Sequence, residues 1–343
     1  MNVITGRAKP GKIAFLYSGQ GAQHPGMGRQ LYETFPTFAH ALNNTCDALD
    51  PHLDHPLRDI MWATPHTHQA TLLDQTAYTQ PALFALQTAL FHLLASWGIH
   101  PHYLAGHSLG EITAAHTAGI LTLTDAATLI TQRAHLMQTL PPDGAMTAIQ
   151  ATPQEITPHL TPHTAIAAIN SPTSTVISGH TDHINTITAH FTQQGRKTRP
   201  LAVSHAFHSP LLNPILQPLD TLAHTLTHHT AHTPLITNTT ATPTHTLTPT
   251  HWAHHARQPV QFANTITHLH HTGVTTYLEL GPDTPLTNIA PHNLPPDTPH
   301  THATFTPTLR KNHPEPHTLL TAIATTHTHT TATPITWHNH LPT

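Results

Sequence analysis

Apolar positions fall in short blocks with two different rhythms. Residues 13–17 (IAFLY) form a continuous apolar run that ends in the small-residue turn 18–21, the pattern of a buried strand feeding a loop at a sheet's carboxyl edge. Residues 26–32 and 37–49 carry helical spacing, and 81–97 is the strongest helical segment of the first third. Gln87, Thr88, His92 and Ser96 interrupt the apolar stretch 81–99, so it predicts a buried helix and not a membrane span. A short strand over 103–105, a helix over 111–118 and another over 129–138 follow. Strand, sharp turn and helix in alternation predict an α/β sheet with helices on its faces and a ligand site beyond the strand ends.

From 145 to 204 the rhythm changes. A strand (146–150), a helix opened by Pro153 (154–160), two strands (165–169 and 175–178), a helix (182–194) and a strand (198–203) give the order β-α-β-β-α-β. That order is the split, ferredoxin-like pattern, which closes as a compact unit of its own. The α/β rhythm then resumes with a helix over 211–227, a short apolar segment at 235–238 and a strand at 276–280. The predicted organisation is a large α/β subdomain (1–144 and 205–292), a small inserted ferredoxin-like subdomain (145–204), and a Pro- and Thr-rich tail (293–343) with one short helix at 318–324. A site between the two subdomains follows.

Composition narrows the function classes. Only 8% of the 343 residues are charged, with 12 Lys plus Arg against 16 Asp plus Glu, so there is no electrostatic footprint for nucleic acid. The single cysteine, Cys46, has no internal partner, and residues 2–9 lack the apolar core of a secretory signal; both suit a cytoplasmic protein. The chain holds 39 histidines and 33 prolines, with runs such as HTHTTAT at 327–333. A metal site would need tight ligand spacing, with cysteines or a His-Glu-x-x-His helix, and neither occurs. The histidines therefore read as exposed compositional drift, and no metal or tightly bound cofactor is expected.

The chemistry is concentrated at Gly106, His107, Ser108, Leu109 and Gly110. They spell G-x-S-x-G between a strand and a helix, the context of a nucleophile elbow. Ser108 precedes the free amides of a helix, so an anion forming beside it meets aligned donors, with the Leu109 amide as the natural oxyanion donor. Residues 106–111 (GHSLGE), 18–23 (SGQGAQ) and 79–85 (TQPALFA) together resemble the malonyl-CoA:acyl carrier protein transacylase family, and more closely the acyltransferase domains of modular type I polyketide synthases. The likeness runs from about residue 12 to 286, and 307–311 (PTLRK) and 334–341 (PITWHNHL) resemble the linker after such domains. The His and Thr enrichment further resembles mycolactone-type synthases of mycobacteria.

The resemblance implies a large α/β-hydrolase-like subdomain and a transfer of malonyl from coenzyme A to a carrier phosphopantetheine through an ester on Ser108. Its partners would be malonyl-CoA, an acyl carrier protein domain and a neighbouring ketosynthase domain. It places the second oxyanion donor on the Gln20 amide and, within VSHAFHSP (203–210), the catalytic base on His208 and not His205. The carbonyl that holds the base would come from 255–260 (HARQPV), with His255 as candidate, and Arg133 would grip the malonyl carboxylate. His205 and Phe207 within HAFH, together with Leu109, would favour malonyl over methylmalonyl. Asn170 and Ser171, at the bend between the middle strands, either line the cleft or simply make the turn. A serine hydrolase, such as an esterase or editing thioesterase, shares Ser108 and His208 but would normally add an acid between them in chain order. A metal-binding module and a catalytically silent scaffold are the remaining alternatives.

Overall fold

The computed structural model describes residues 4–6, 8, 10–295 and 303–331. Strands β1 (Lys12–Tyr17), β2 (Tyr103–Gly106), β7 (Leu235–Ile236), β8 (Pro243–Thr244), β9 (Val274–Leu280) and β10 (Thr304–Pro307) form one sheet in the order β10-β9-β1-β2-β7-β8. All neighbours in it are parallel except β7 and β8. β1 is apolar and buried from Ile13 onward because helices cover both faces of the sheet, as in parallel sheets generally.

Strands β3 (Gly144–Ile149), β4 (Thr164–Ser171), β5 (Ser174–His180) and β6 (Thr198–Pro200) form a second, antiparallel sheet in the order β4-β5-β3-β6. With the helices Pro153–Ile156 and Thr181–Gln193 between its strands, it has the ferredoxin-like order read from the sequence. It buries its own apolar cluster, with Ile149, Ile177, Ile184 and Phe191 at its heart. The fold class expected from the sequence, a parallel α/β sheet with a separate βαββαβ unit, is the one observed. Contact between the units runs through an isolated parallel bridge, in which the Ile169 N–H donates to the Val260 carbonyl at 2.9 Å and the Val260 N–H to the Ala167 carbonyl at 2.9 Å.

Four elements differ from expectation. The long helix spans Thr76–Ser96 and carries Pro81 inside it, starting five residues earlier than the apolar run. Burial on nearly every side, down to Thr76, Thr79 and Gln80, holds the extra turn together against the proline. The strand predicted to reach 203 ends at Pro200, with one more main-chain bond beyond it, from the Leu201 N–H to the Met146 carbonyl at 2.9 Å. Residues 304–307 and Glu315–His329, expected within a tail with one short helix, add β10 beside β9 and a 15-residue helix that buries Leu319, Ala322 and Ile323. The segment 334–341 lies outside the described residues.

The ends of β1, β2 and β7 lie side by side at the carboxyl edge, which brings the loop 18–21, the elbow 107–109 and Asn238 together. Gln87, a polar residue buried in the long helix, ties the first loop to the helix that follows the elbow. Its Nε2 donates to the Ser18 carbonyl at 2.7 Å, and its Oε1 accepts from the Thr113 hydroxyl at 2.7 Å.

Candidate active site

Ser108 sits between β2 and the helix Gly110–Thr117 with φ 52°, a left-handed conformation uncommon for a residue with a side chain. The turn closes only because its flanks lack side chains. A Cβ on Gly106 would lie 2.0 Å from the Gly110 carbonyl carbon, and one on Gly110 would lie 2.2 Å from the Tyr17 oxygen. The strained turn raises the hydroxyl into a cavity of about 660 Å³ between the two sheets. Gly19, Gln20, His107, Phe207 and His208 share its wall, and the small subdomain supplies residues from β3 to β6.

His208 faces the hydroxyl, with Nε2 2.7 Å from Ser108 Oγ. It too has positive φ, 56°, so both partners are held in sparsely populated backbone conformations. Its Nδ1 lies 2.8 Å from the Gln258 carbonyl, which fixes the tautomer: Nδ1–H donates and Nε2 keeps its lone pair toward Ser108. Burial pushes the His208 pKa well below its ordinary 6.5, and the nearby His255 and Arg133 push the same way. The imidazole is therefore neutral at neutral pH and able to take a proton.

The carbonyl that orients His208 belongs to Gln258, three residues beyond the expected His255. The helix His251–Arg257 ends just before Gln258, whose extended ψ of 156° frees its carbonyl from helical bonding. His255 lies inside the helix, and its side chain points to the elbow instead, with Nε2 3.2 Å from the Ser108 carbonyl oxygen.

The main-chain amides of Gln20 and Leu109 make no hydrogen bond within the described protein and flank the serine from the β1 and β2 loops. The Ser108 amide is already committed, donating to Asn238 Oδ1 at 3.1 Å. Gly19 lets the first loop approach, since a Cβ there would lie 2.9 Å from the His107 carbonyl oxygen.

Arg133, in the helix Leu123–Gln138, is 2% exposed and donates through Nη1 to Gln80 Oε1, while its Nε has no partner. No carboxylate among the described residues pairs with it. Burial lowers its pKa only to about 10, so the guanidinium stays charged. From Gln80 a line of hydrogen bonds runs through Thr76 to the Gln20 side chain, tying the arginine to the first loop. Phe207 lines the cavity, whereas Arg133 and His205 are not on its wall. The His205 Nε2 lies 3.0 Å from the Leu140 carbonyl, and its ring borders a separate hollow. The Leu109 side chain is buried in the core and does not reach the cavity wall. Asn170 and Ser171 do line the cavity, and Asn170 Oδ1 also meets His107 Nε2 at 2.9 Å.

Residues 14–333 match the acyl transferase domain family. The chain belongs to that family. It is 44% identical over 325 residues to the spectinabilin polyketide synthase system protein NorB of Streptomyces orinoci, covering 93% of this chain and 15% of that protein. It is 42% identical, with the same coverage of both, to the phenolphthiocerol synthesis polyketide synthase Pks15/1 of Mycobacterium marinum. The acyltransferase thus spans about 15% of the length of these multidomain relatives. Among solved structures it superposes on the acyltransferase domain from the second module of the salinomycin polyketide synthase with TM-score 0.89 and 41% identity, covering 96% of this chain and 76% of that one. FabD of Acinetobacter baumannii gives TM-score 0.79 at 29% identity, covering 92% and 99%. No described helix of the acyltransferase is long and apolar enough to cross a membrane.

Sequence reasoning missed three residues of this acyltransferase's site. Gln258 acts through its carbonyl, which leaves no side-chain signature. Glu111 and Asn238 are fully or nearly fully buried beside the elbow. For Glu111 a signal existed: it is the one acidic residue of its helix in a chain only 8% charged, beside the buried Ile112, Ala114 and Ala115.

Proposed function

We propose that this acyltransferase moves a malonyl group from coenzyme A to the phosphopantetheine thiol of an acyl carrier protein domain during polyketide assembly in the cytoplasm, with a ketosynthase domain as its neighbour. The observation that carries the reading is the 2.7 Å contact between Ser108 Oγ and a neutral, buried His208 Nε2.

In the first half-reaction Ser108 Oγ attacks the thioester carbonyl while His208 Nε2 takes its proton. Negative charge gathers on the carbonyl oxygen, where the free Gln20 and Leu109 amides donate to it. The C–S bond then breaks, the imidazolium returns the proton to the departing sulfur, and an ester remains on Ser108. In the second half-reaction the carrier thiol gives its proton to His208, attacks the ester, and releases Ser108 by the same route. Gln258 offers His208 a dipole where a hydrolase would often offer an acid, so the imidazole is oriented without a balancing charge.

Arg133 supports malonyl as the cargo. A buried guanidinium with no acid partner is costly unless a ligand anion completes it, and a free carboxylate matches its planar fork. Phe207 on the cavity wall favours the unbranched unit over methylmalonyl by crowding the methyl, a preference of about 1–3 kcal/mol.

The deciding experiment is intact-protein mass spectrometry after brief incubation with malonyl-CoA and methylmalonyl-CoA in competition. A malonyl adduct on the wild type, absent from Ser108→Ala, is expected. Rapid release of free malonate without an adduct would instead point to a hydrolase.

A further inference from the structure

Ser108 is held in its left-handed conformation by side chains from outside the elbow. Its N–H donates to Asn238 Oδ1 at 3.1 Å, and its carbonyl oxygen faces His255 Nε2 at 3.2 Å. Asn238 follows β7, and His255 lies in the helix Glu111 also reaches, so the two come from separate parts of the sheet's edge. Both converge on one carboxylate. Glu111 Oε2 accepts from the backbone and side-chain N–H groups of Asn238 and lies 4.0 Å from His255 Nε2, while Oε1 meets His251 Nε2 at 2.5 Å.

We infer that Glu111 is a positioning residue for the nucleophile, acting through Asn238 on the Ser108 amide and through His255 on the Ser108 carbonyl. A carboxylate only accepts hydrogen bonds, so the Asn238 NH₂ must face Glu111 and its oxygen must face Ser108. Without Glu111 that side chain has no reason to present an acceptor to the elbow. His255 has one proton to place, because burial drives its pKa down to about 3 and keeps it neutral. Its Nδ1 has no partner among the described residues, so the proton belongs on Nε2, toward the Ser108 carbonyl. Burial by itself would raise the Glu111 carboxyl, but the imidazoles facing it and the Asn238 N–H groups outweigh burial and keep it low, in the ionised form. Glu111 is 0% exposed and both of its oxygens are taken by Asn238 and His251, so its partners inside the protein account for a charge at that position. Engaging the Ser108 amide also leaves Leu109 as the elbow's free donor, which separates the group that is held from the group that would bind the oxyanion.

The inference rests on Ser108 as the nucleophile. It is tested in the whole chain by single-turnover acylation with malonyl-CoA, followed by intact mass, across wild type, Asn238→Leu, Glu111→Gln and Glu111→Leu. Asn238→Leu keeps the volume and removes the acceptor. A displaced hydroxyl loses on the order of 100-fold in rate, so that is the expected fall in the maximal acylation rate, with half-saturating malonyl-CoA unchanged. Glu111→Gln, which keeps an acceptor oxygen for Asn238, retains most of the rate, and Glu111→Leu falls as far as Asn238→Leu. If Glu111→Leu does not fold, Asn238→Leu against Glu111→Gln decides. Wild-type acylation by Asn238→Leu, or a loss confined to saturation, overturns the clamp alone. A wild type that takes no acyl group on Ser108 overturns the reading beneath it.

Discussion

His208 and Arg133 are both buried, and burial acts on them in different directions of use. For His208 it removes the proton: the folded pKa lies below the ordinary 6.5. The acylation rate is expected to stay flat as pH falls through 6.5 and to drop only at more acid values, measured by rapid-quench acylation across pH. The same depression has a stability consequence. Below 6.5 the unfolded chain binds protons that buried His208 and His255 refuse, so folding stability declines as pH falls through that value. For Arg133, burial concentrates a charge that nothing in the described chain neutralises. Arg133→Ala should lower kcat/KM for malonyl-CoA by on the order of 100-fold, the worth of about two charge-assisted hydrogen bonds, while acetyl-CoA is used as well as before or better. Equal loss on both substrates would remove the carboxylate-binding role. Arg133→Lys should not restore malonyl use, because an ammonium cannot copy the two-pronged contact.

At the scale of elements, legibility followed how regularly burial alternates along the chain. The βαββαβ unit was readable because its strands and helices each keep one apolar face, as Ile184, Ile187 and Phe191 do in Thr181–Gln193. The start of the long helix was not, because Pro81 has the look of a first turn and only tertiary burial carries the helix back to Thr76. The strand TFTP was not, because four residues rich in threonine give no period, and its place beside β9 is set by pairing alone. Gln258 escaped because a carbonyl's direction is a property of where a helix stops. The tail elements nonetheless hold the sheet. Glu315 accepts from the amides of Gly28, Gln30 and Leu31, and Thr308 donates through N–H and hydroxyl to the Glu279 carbonyl. Ending the chain at residue 295 would strip β9 of a neighbour and expose the apolar groove that Leu319 and Ile323 fill. Those two side chains alone are worth roughly 3–6 kcal/mol, a large part of a total stability of about 5–15 kcal/mol. The truncated protein is expected to aggregate or to melt well below the full chain, checked by size-exclusion chromatography and a circular-dichroism melt.

Across the whole molecule, the small antiparallel unit interrupts the large one between Ser108 and His208. Ser108 and His208 stand 100 residues apart, and Glu111 and His251 stand 140 apart. The inserted unit has its own apolar cluster and can gather locally, but Ser108 and His208 can meet only after it has closed and returned the chain to the parent sheet. The parallel bridge between 168 and 260 sits beside Gln258, so the arrival of the insertion and the aiming of the base are coupled in space. Contacts of such wide sequence separation are slow to form, which places the working site among the last features to mature as the polypeptide emerges and folds. A chain cut short before residue 258 therefore lacks the carbonyl that holds His208 against Ser108, however well its first two hundred residues have folded.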